Sequence, residues 1–113
     1  MKTQGFESFS EFYPFYLSQH SSRINRKFHL TGTILFLINF FYQIFFGEAF
    51  FLLLCLPLGY GPAWIGHFVF EKNKPATFKY PVNSFMGDLA MTYDTFTGQL
   101  KRKFDEYGIK EMA

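Results

Sequence analysis

The sequence holds a single cysteine, Cys55, among 113 residues. One thiol cannot close an internal disulfide, so no oxidising compartment is implied. Within the apolar run Phe50 to Leu58, Cys55 reads as a small buried apolar side chain. Net charge is also scarce. A formal +2 with no basic stripe leaves no electrostatic footprint for nucleic acid. Repeats, low-complexity tracts and flexible linkers are missing. So are G-x-S-x-G, a phosphate loop and a dinucleotide fingerprint, which removes the usual sequence support for serine hydrolase or nucleotide chemistry. Gly59-Tyr60-Gly61 is too short to cradle a phosphate and suits a tight bend or a close helix approach. Met1 to Phe28 lacks the continuous apolar stretch of a signal peptide and carries Glu7, Glu11, Arg23, Arg26 and Lys27. If the chain enters a membrane, internal segments must insert.

What the chain does hold is aromatic: 18 phenylalanines and seven tyrosines. Its charges gather towards both ends, leaving an apolar middle. The length suits one domain, residues 1–113. Leu30 to Phe46 is a first uncharged run, Gly47 and Glu48 break it, and Ala49 to Phe70 is a second. Each approaches the roughly 20 residues that cross a hydrocarbon core. The second contains Pro57, Gly59, Gly61 and Pro62, which predicts two helical pieces with a bend. Arg23, Arg26 and Lys27 precede the first run, Lys72, Lys74 and Lys79 follow the second, and the turn carries only Glu48. The positive-inside rule then puts both ends in the cytoplasm. A core hairpin of a soluble protein is the rival reading.

Amphipathic segments flank the hairpin. Phe9, Phe12, Tyr13, Tyr16, Leu17 and His20 recur at helical steps, with a capping box at Ser8 and Glu11. Pro14 is expected to kink this helix or delay its start. After Pro75 and Pro81, the spacing of Phe85, Leu89, Phe96 and Leu100 predicts a helix packed on the cytoplasmic face. Lys101 to Ala113 reads as a solvated tail. The expected fold is therefore all-α: a small helical membrane protein, a transmembrane hairpin with amphipathic helices at the cytoplasmic face.

This topology gathers the three histidines. His29 stands before the first run, His67 near the end of the second, and His20 in the preceding helix. A hairpin puts all three at one membrane face, which makes a metal site a candidate although no H-x-x-x-H or C-x-x-C spacing is present. A single interfacial histidine is usually only a polar anchor. His20 and His29 are nine residues apart, on opposite sides of an unbroken helix, so the chain must turn between them, with Ser21 and Ser22 the plausible place. His67 and Glu71 share a helical face, leaving Glu71 as a ligand, an acceptor for an imidazole N–H, or a proton carrier. Asp88 is either a solvated carboxylate or one that orients a histidine. Tyr60 and Trp64 are candidate interface anchors or pocket walls. Cys55 lies too far along the second run to share a site with His67 unless the bend folds it back.

Several strings carry a family resemblance. The first is Tyr13-Pro14-Phe15-Tyr16-Leu17 with His20, Asn25-Arg26, His29 and Gly32-Thr33. The second is Gly59-Tyr60-Gly61, Ala63-Trp64, Gly66-His67-Phe68, Glu71, Asn73 and Pro75-Ala76-Thr77-Phe78. The third is Ser84, Gly87-Asp88 and Met91. Over roughly Phe12 to Gly98 the chain resembles the membrane-bound 2-hydroxy-fatty-acid dioxygenase family. The resemblance implies an iron(II) enzyme of fatty-acid α-oxidation that shortens a 2-hydroxy fatty acid by one carbon with molecular oxygen. In yeast-like cells such enzymes serve phytosphingosine breakdown at the endoplasmic reticulum, and bacterial members are short like this chain. A multi-pass protein of the bacterial inner membrane or endoplasmic reticulum is thus implied. His20, His29 and His67 inherit the role of Fe(2+) ligands. Glu71 and Asp88 are expected behind the ligands, Arg26 or Arg23 is a candidate partner for the substrate carboxylate, and Asn25 and Asn73 are candidates for fixing backbone or ligand orientation. Two other classes remain open beside it: a zinc hydrolase with Glu71 as base, and a non-enzymatic lipid-binding protein.

Overall fold

The structure is a computed structural model that describes residues 6–112. Met1 to Gly5 and Ala113, which belong to the segments read above, lie outside the described residues. The described chain is helical, without β-strands. Helix α1 is Phe9–Ser18, α2 is Arg23–Phe45, α3 is Cys55–Ile65, α4 is Pro81–Phe96 and α5 is Leu100–Glu106.

Helix α1 starts at Ser8, whose hydroxyl accepts the Glu11 N–H at 3.3 Å. This is the backbone half of a capping box. The helix then runs through Pro14 to Ser18. Its inner face (Phe12, Tyr13, Tyr16 and Leu17) packs with Met91 of α4 and Phe104 of α5 to form the hydrophobic core. Each large side chain buried this way contributes about 1.5–3 kcal/mol.

The chain turns at Gln19 to Ser22, where it was expected to, and Ser22 caps α2 by accepting the Asn25 N–H at 3.2 Å. Helix α2 begins at Arg23, well before the apolar run, because this cap lets the cationic stretch complete the first turns. The return limb is built from three successive helical segments where two pieces were expected. A 3-10 segment Ala49–Leu54 leads into α3 and then into a π-helical segment, Gly66–Glu71. Pro57 falls in the first turn of α3, where proline is tolerated, close to the change of helix type. The two limbs approach closely at Gly32 and Gly59: a Cβ on Gly32 would collide with the Gly59 carbonyl. Both limbs, Arg23–Phe45 and Ala49–Glu71, are long and apolar enough to cross a membrane.

Helix α4 packs on the rest of the protein through small and polar residues. Its buried stripe is Asn83, Ser84, Gly87, Met91 and Asp94, while Phe85, Leu89 and Phe96 remain exposed. The reason is its partner: the Tyr16 ring lies against Gly87, where a Cβ would come within 2.7 Å. The tail, expected to be solvated, is largely exposed but anchored at a few points. Phe104 of α5 is buried, and Lys103 reaches Asp94 at 2.8 Å beside the hydroxyl of Tyr13, which donates to the same carboxylate at 2.7 Å. Beyond α5, Met112 pairs with the α1–α2 turn, donating to Ser21 O and accepting from Arg23 N, both at 2.8 Å.

Candidate metal centre

Three imidazoles meet where the α1–α2 turn, α2 and the π-helical segment converge. His20, His29 and His67 are all buried. Their ring centroids lie 4.5, 4.5 and 5.4 Å apart, and each ring offers one nitrogen within 4.8 Å of the others. The difficult pair, His20 and His29, is reconciled by the turn. His20 lies beyond the end of α1, and its ring stacks on Tyr16 at 4.1 Å.

The hydrogen bonds fix which nitrogen each ring offers. His20 Nδ1 lies 2.7 Å from the Tyr16 carbonyl, which can only accept. His67 Nδ1 lies 2.8 Å from Asn73 Oδ1. The Asn73 amide is oriented by its Nδ2, which donates to Gln19 O and Oε1 at 3.1 and 3.2 Å. Both rings therefore carry their proton on Nδ1 and present a bare Nε2 lone pair. Those two Nε2 atoms face each other 2.9 Å apart. His29 donates through Nε2 to Asp88 Oδ1 at 2.5 Å, leaving its buried Nδ1 without a protein partner. Three imidazole nitrogens thus gather within 4.8 Å of one another, and the two bare Nε2 lone pairs that face each other repel unless a cation joins them. This donor set fits a transition-metal ion, for which neutral imidazole is a preferred ligand and the N–H acceptor behind each ring is the usual support.

The surroundings keep the set in this state. Burial, and then the neighbouring His29 and His67 rings, hold the His20 imidazole well below its ordinary pKa. Tyr16 donates its hydroxyl to Asp88. Burial and that carboxylate hold the phenol well above its ordinary range, so it remains a donor. Asp88 therefore joins Tyr16 of α1 to His29 of α2.

Glu71 is placed differently. Its oxygens accept from Ser21 Oγ at 2.5 Å, Ser22 N at 2.8 Å and Asn25 Nδ2 at 3.0 Å. The wider π turn separates it from the His67 acceptor position, and Glu71 instead ties the return limb to the start of α2, where the helix dipole favours a carboxylate. The acceptor for His67 is Asn73. It reaches the ring because Lys72 adopts a left-handed conformation, φ 59°, and the Asn73 N–H then bonds back to His67 O at 3.1 Å. The Asn25 side chain donates to Glu71 Oε1, and its buried Oδ1 has no protein partner. Arg26 donates to the carbonyls of His20 and Ser21 at 2.8 and 2.9 Å and pairs with Glu111, its guanidinium 4.7 Å from the Phe104 ring centroid. Arg23 also pairs with Glu111, at 2.5 Å. Cys55 lies beside Asn39 and Phe36, away from the histidines.

The imidazoles border a small, narrow chamber, with Tyr60, Trp64, Thr77 and Ser84 among its walls. Tyr60 and Trp64 are thus pocket walls. An adjoining small apolar cleft shares His29, Tyr60, Ala63 and Asp88 with the chamber and continues to Thr33, Phe36, Phe85 and Leu89. Tyr16 is the participant that sequence reading passed over. It stands one helical turn before His20, a spacing that signals a shared face, but its carbonyl and its hydroxyl serve different histidines only in the folded chain.

Fold and site together define a helical protein with a three-histidine centre at one end of an apolar hairpin. The chain belongs to the Mpo1-like family, described as 2-hydroxy-palmitic acid dioxygenase Mpo1-like, whose model matches residues 6–100. No curated protein and no solved structure matches the chain.

Proposed function

We propose that the protein is a membrane-embedded, iron(II)-dependent dioxygenase that shortens 2-hydroxy fatty acids by one carbon. The observation that carries this reading is the gathering of three buried imidazole nitrogens beside an apolar cleft, in a chain whose family is described by 2-hydroxypalmitic acid dioxygenation. His20, His29 and His67 would hold the ion, with its remaining positions open to the chamber. Bound iron(II) supplies the redox chemistry that molecular oxygen requires. The overall change breaks the C1–C2 bond: a 2-hydroxy acid and O2 give an acid one carbon shorter, carbon dioxide and water.

The chain's own residues account for the rest. Tyr16 O, Asn73 Oδ1 and Asp88 Oδ1 hold the ring protons away from the ion side. Tyr16 donates to Asp88 and keeps that carboxylate aligned on His29. The substrate's polar head enters the chamber, while its alkyl chain follows the cleft towards Phe36 and Phe85, gaining about 0.8 kcal/mol per buried CH2. Arg26 acts as a positioning residue for the His20 turn, since its donors already serve main-chain carbonyls and Glu111. The hairpin crosses the bilayer with the histidine end at the cytoplasmic face, in accord with the flanking Arg and Lys residues. A hydrolase that used Glu71 as base would have to break three hydrogen bonds to free it.

The test is anaerobic purification with iron(II), followed by oxygen uptake on 2-hydroxypalmitate. One O2 consumed per pentadecanoate formed is expected. His67→Ala should lose the metal and at least about 100-fold in turnover, because an open-sided site cannot spare one of three ligands. Zinc in the native protein with no oxygen requirement, or full activity in His67→Ala, would refute the reading.

A further inference from the structure

One polar side chain in the chamber is left over by this account. Ser84 is 3% exposed, its Oγ has no protein hydrogen-bond partner, and it lines the chamber that holds the three histidines. It stands four residues before Asp88 on α4, hence on the same helical face. A buried hydroxyl normally finds a partner, and serine in a helix can satisfy itself on the carbonyl one turn earlier. Here that turn supplies only the backbone bond, Ser84 N to Tyr80 O at 2.9 Å.

The chamber's other polar groups narrow what Ser84 can serve. None of the residues lining it is Lys or Arg. Arg26, the nearest candidate by sequence, is engaged elsewhere. The Tyr16 hydroxyl is given to Asp88. An anionic head group in this space must therefore be held by neutral donors as well as by any ion. Ser84 is a fully buried hydroxyl still able to donate, and it sits one turn from the carboxylate that orients His29.

We infer that Ser84 is a substrate-positioning residue whose hydroxyl donates to the carboxylate of the bound 2-hydroxy acid. This rests on the function proposed above. It adds a specificity element: recognition of the acid as an acid, by a neutral hydroxyl in place of a cation. A carboxylate that accepts this bond stays in the chamber, with its alkyl chain directed along the cleft that begins at His29 and Asp88.

Trp64, the chain's single tryptophan, lines the same chamber and reports occupancy by its fluorescence. The experiment titrates the iron-loaded full chain anaerobically with 2-hydroxypalmitate and, in parallel, with hexadecane-1,2-diol, which lacks the carboxylate. Ser84→Ala should weaken binding of the acid about tenfold or more, the usual scale for a lost hydrogen bond to a charged group. Binding of the diol and iron content should be unchanged. Ser84→Cys, similar in size and a weaker donor, should fall between. Equal affinity for the acid in Ser84→Ala and wild type would overturn the inference, as would a parallel loss for acid and diol, which would mark a packing role. If wild type binds neither probe, the proposed function fails and this inference with it; if wild type binds the acid and Ser84→Ala does so equally well, only the inference fails.

Discussion

The two ends of the helical hairpin are built on opposite principles. At the turn, the apolar residues are outside: Phe45 is 70% exposed, Phe46 80% and Phe50 70%. At the histidine end, polar groups are inside: His20 and His67 are 1% exposed, Asn25 is 0% and Asn83 1%. A single aqueous environment does not stabilise both arrangements. Exposed phenylalanine is favourable only against an apolar medium, and buried polar side chains persist only where hydrogen bonds replace water. The comparison teaches that the turn end presents an apolar surface of the kind a bilayer would cover, while a dense hydrogen-bond network, capped by the aromatic core of α1, α4 and α5, organises the other. The centre lies on the border between the two, where a polar head and an apolar chain can be held at once.

The strongest way to break this comparison is to put charge at the turn end. Ile38 is 61% exposed and lies within α2. If water surrounds it, Ile38→Lys should be harmless. If lipid does, insertion should become less favourable by about 2.5–3.5 kcal/mol, the scale for lysine near a helix centre. We expect the lipid result, read as loss of protein from the membrane fraction. At the other end, Asp88→Asn removes the charged acceptor from His29 without changing its shape. Metal affinity or turnover should fall about 10–100-fold, as for comparable supporting residues, measurable by competition with a chelator.

Acid should also separate the ends. The folded state holds His20 well below its ordinary pKa, so between the two values the unfolded chain binds more protons. That term leaves stability intact above the ordinary imidazole pKa of about 6.5 and erodes it as pH falls through and below that value. Protonation also competes with metal for the same nitrogens. Metal content and thermal midpoint should therefore decline together from about pH 6.5 downward, whereas helix content of the hairpin in detergent should not. The smallest effect is expected at Glu111, which is exposed on its outer side and lies below its ordinary pKa because Arg23 donates to it. Glu111→Gln should lower the thermal midpoint only slightly, by the equivalent of about 1 kcal/mol or less. A larger loss would mean that the tail is essential to the His20 turn.

Much of the fold was legible because it follows from one-dimensional facts. Two long apolar runs separated by Gly47 and Glu48 dictate a hairpin, and a hairpin brings His29 and His67 to one end whatever the side-chain detail. Ser22 is a strong cap, so the turn after His20 could be anticipated. What was not legible has physical reasons too. Helical periodicity locates a stripe on α4 but does not say which medium that stripe meets. In the folded chain Phe85 and Leu89 line the cleft while Ser84 and Gly87 face the protein. The charged tail looked solvated because its few anchors, Phe104 and Glu111, are isolated in sequence and acquire partners only from α1 and α2.

The sequence by itself determined that the chain is helical, that it holds two runs long and apolar enough to cross a membrane, and which three imidazoles are available, because hydrophobic run length and residue identity are local properties. Only the tertiary structure decided how those imidazoles are used. The tautomer of each ring is set by an acceptor from another place: Tyr16 O for His20, Asp88 for His29, Asn73 for His67. Two of those acceptors were expected near the site, but nothing in their spacing could say which nitrogen each would claim. Likewise Glu71 shares a helical phase with His67 in sequence, yet a π turn and three donors on the α1–α2 loop draw it away. Lone-pair direction depends on through-space hydrogen bonds between segments up to 59 residues apart, and that information exists only once the chain has folded.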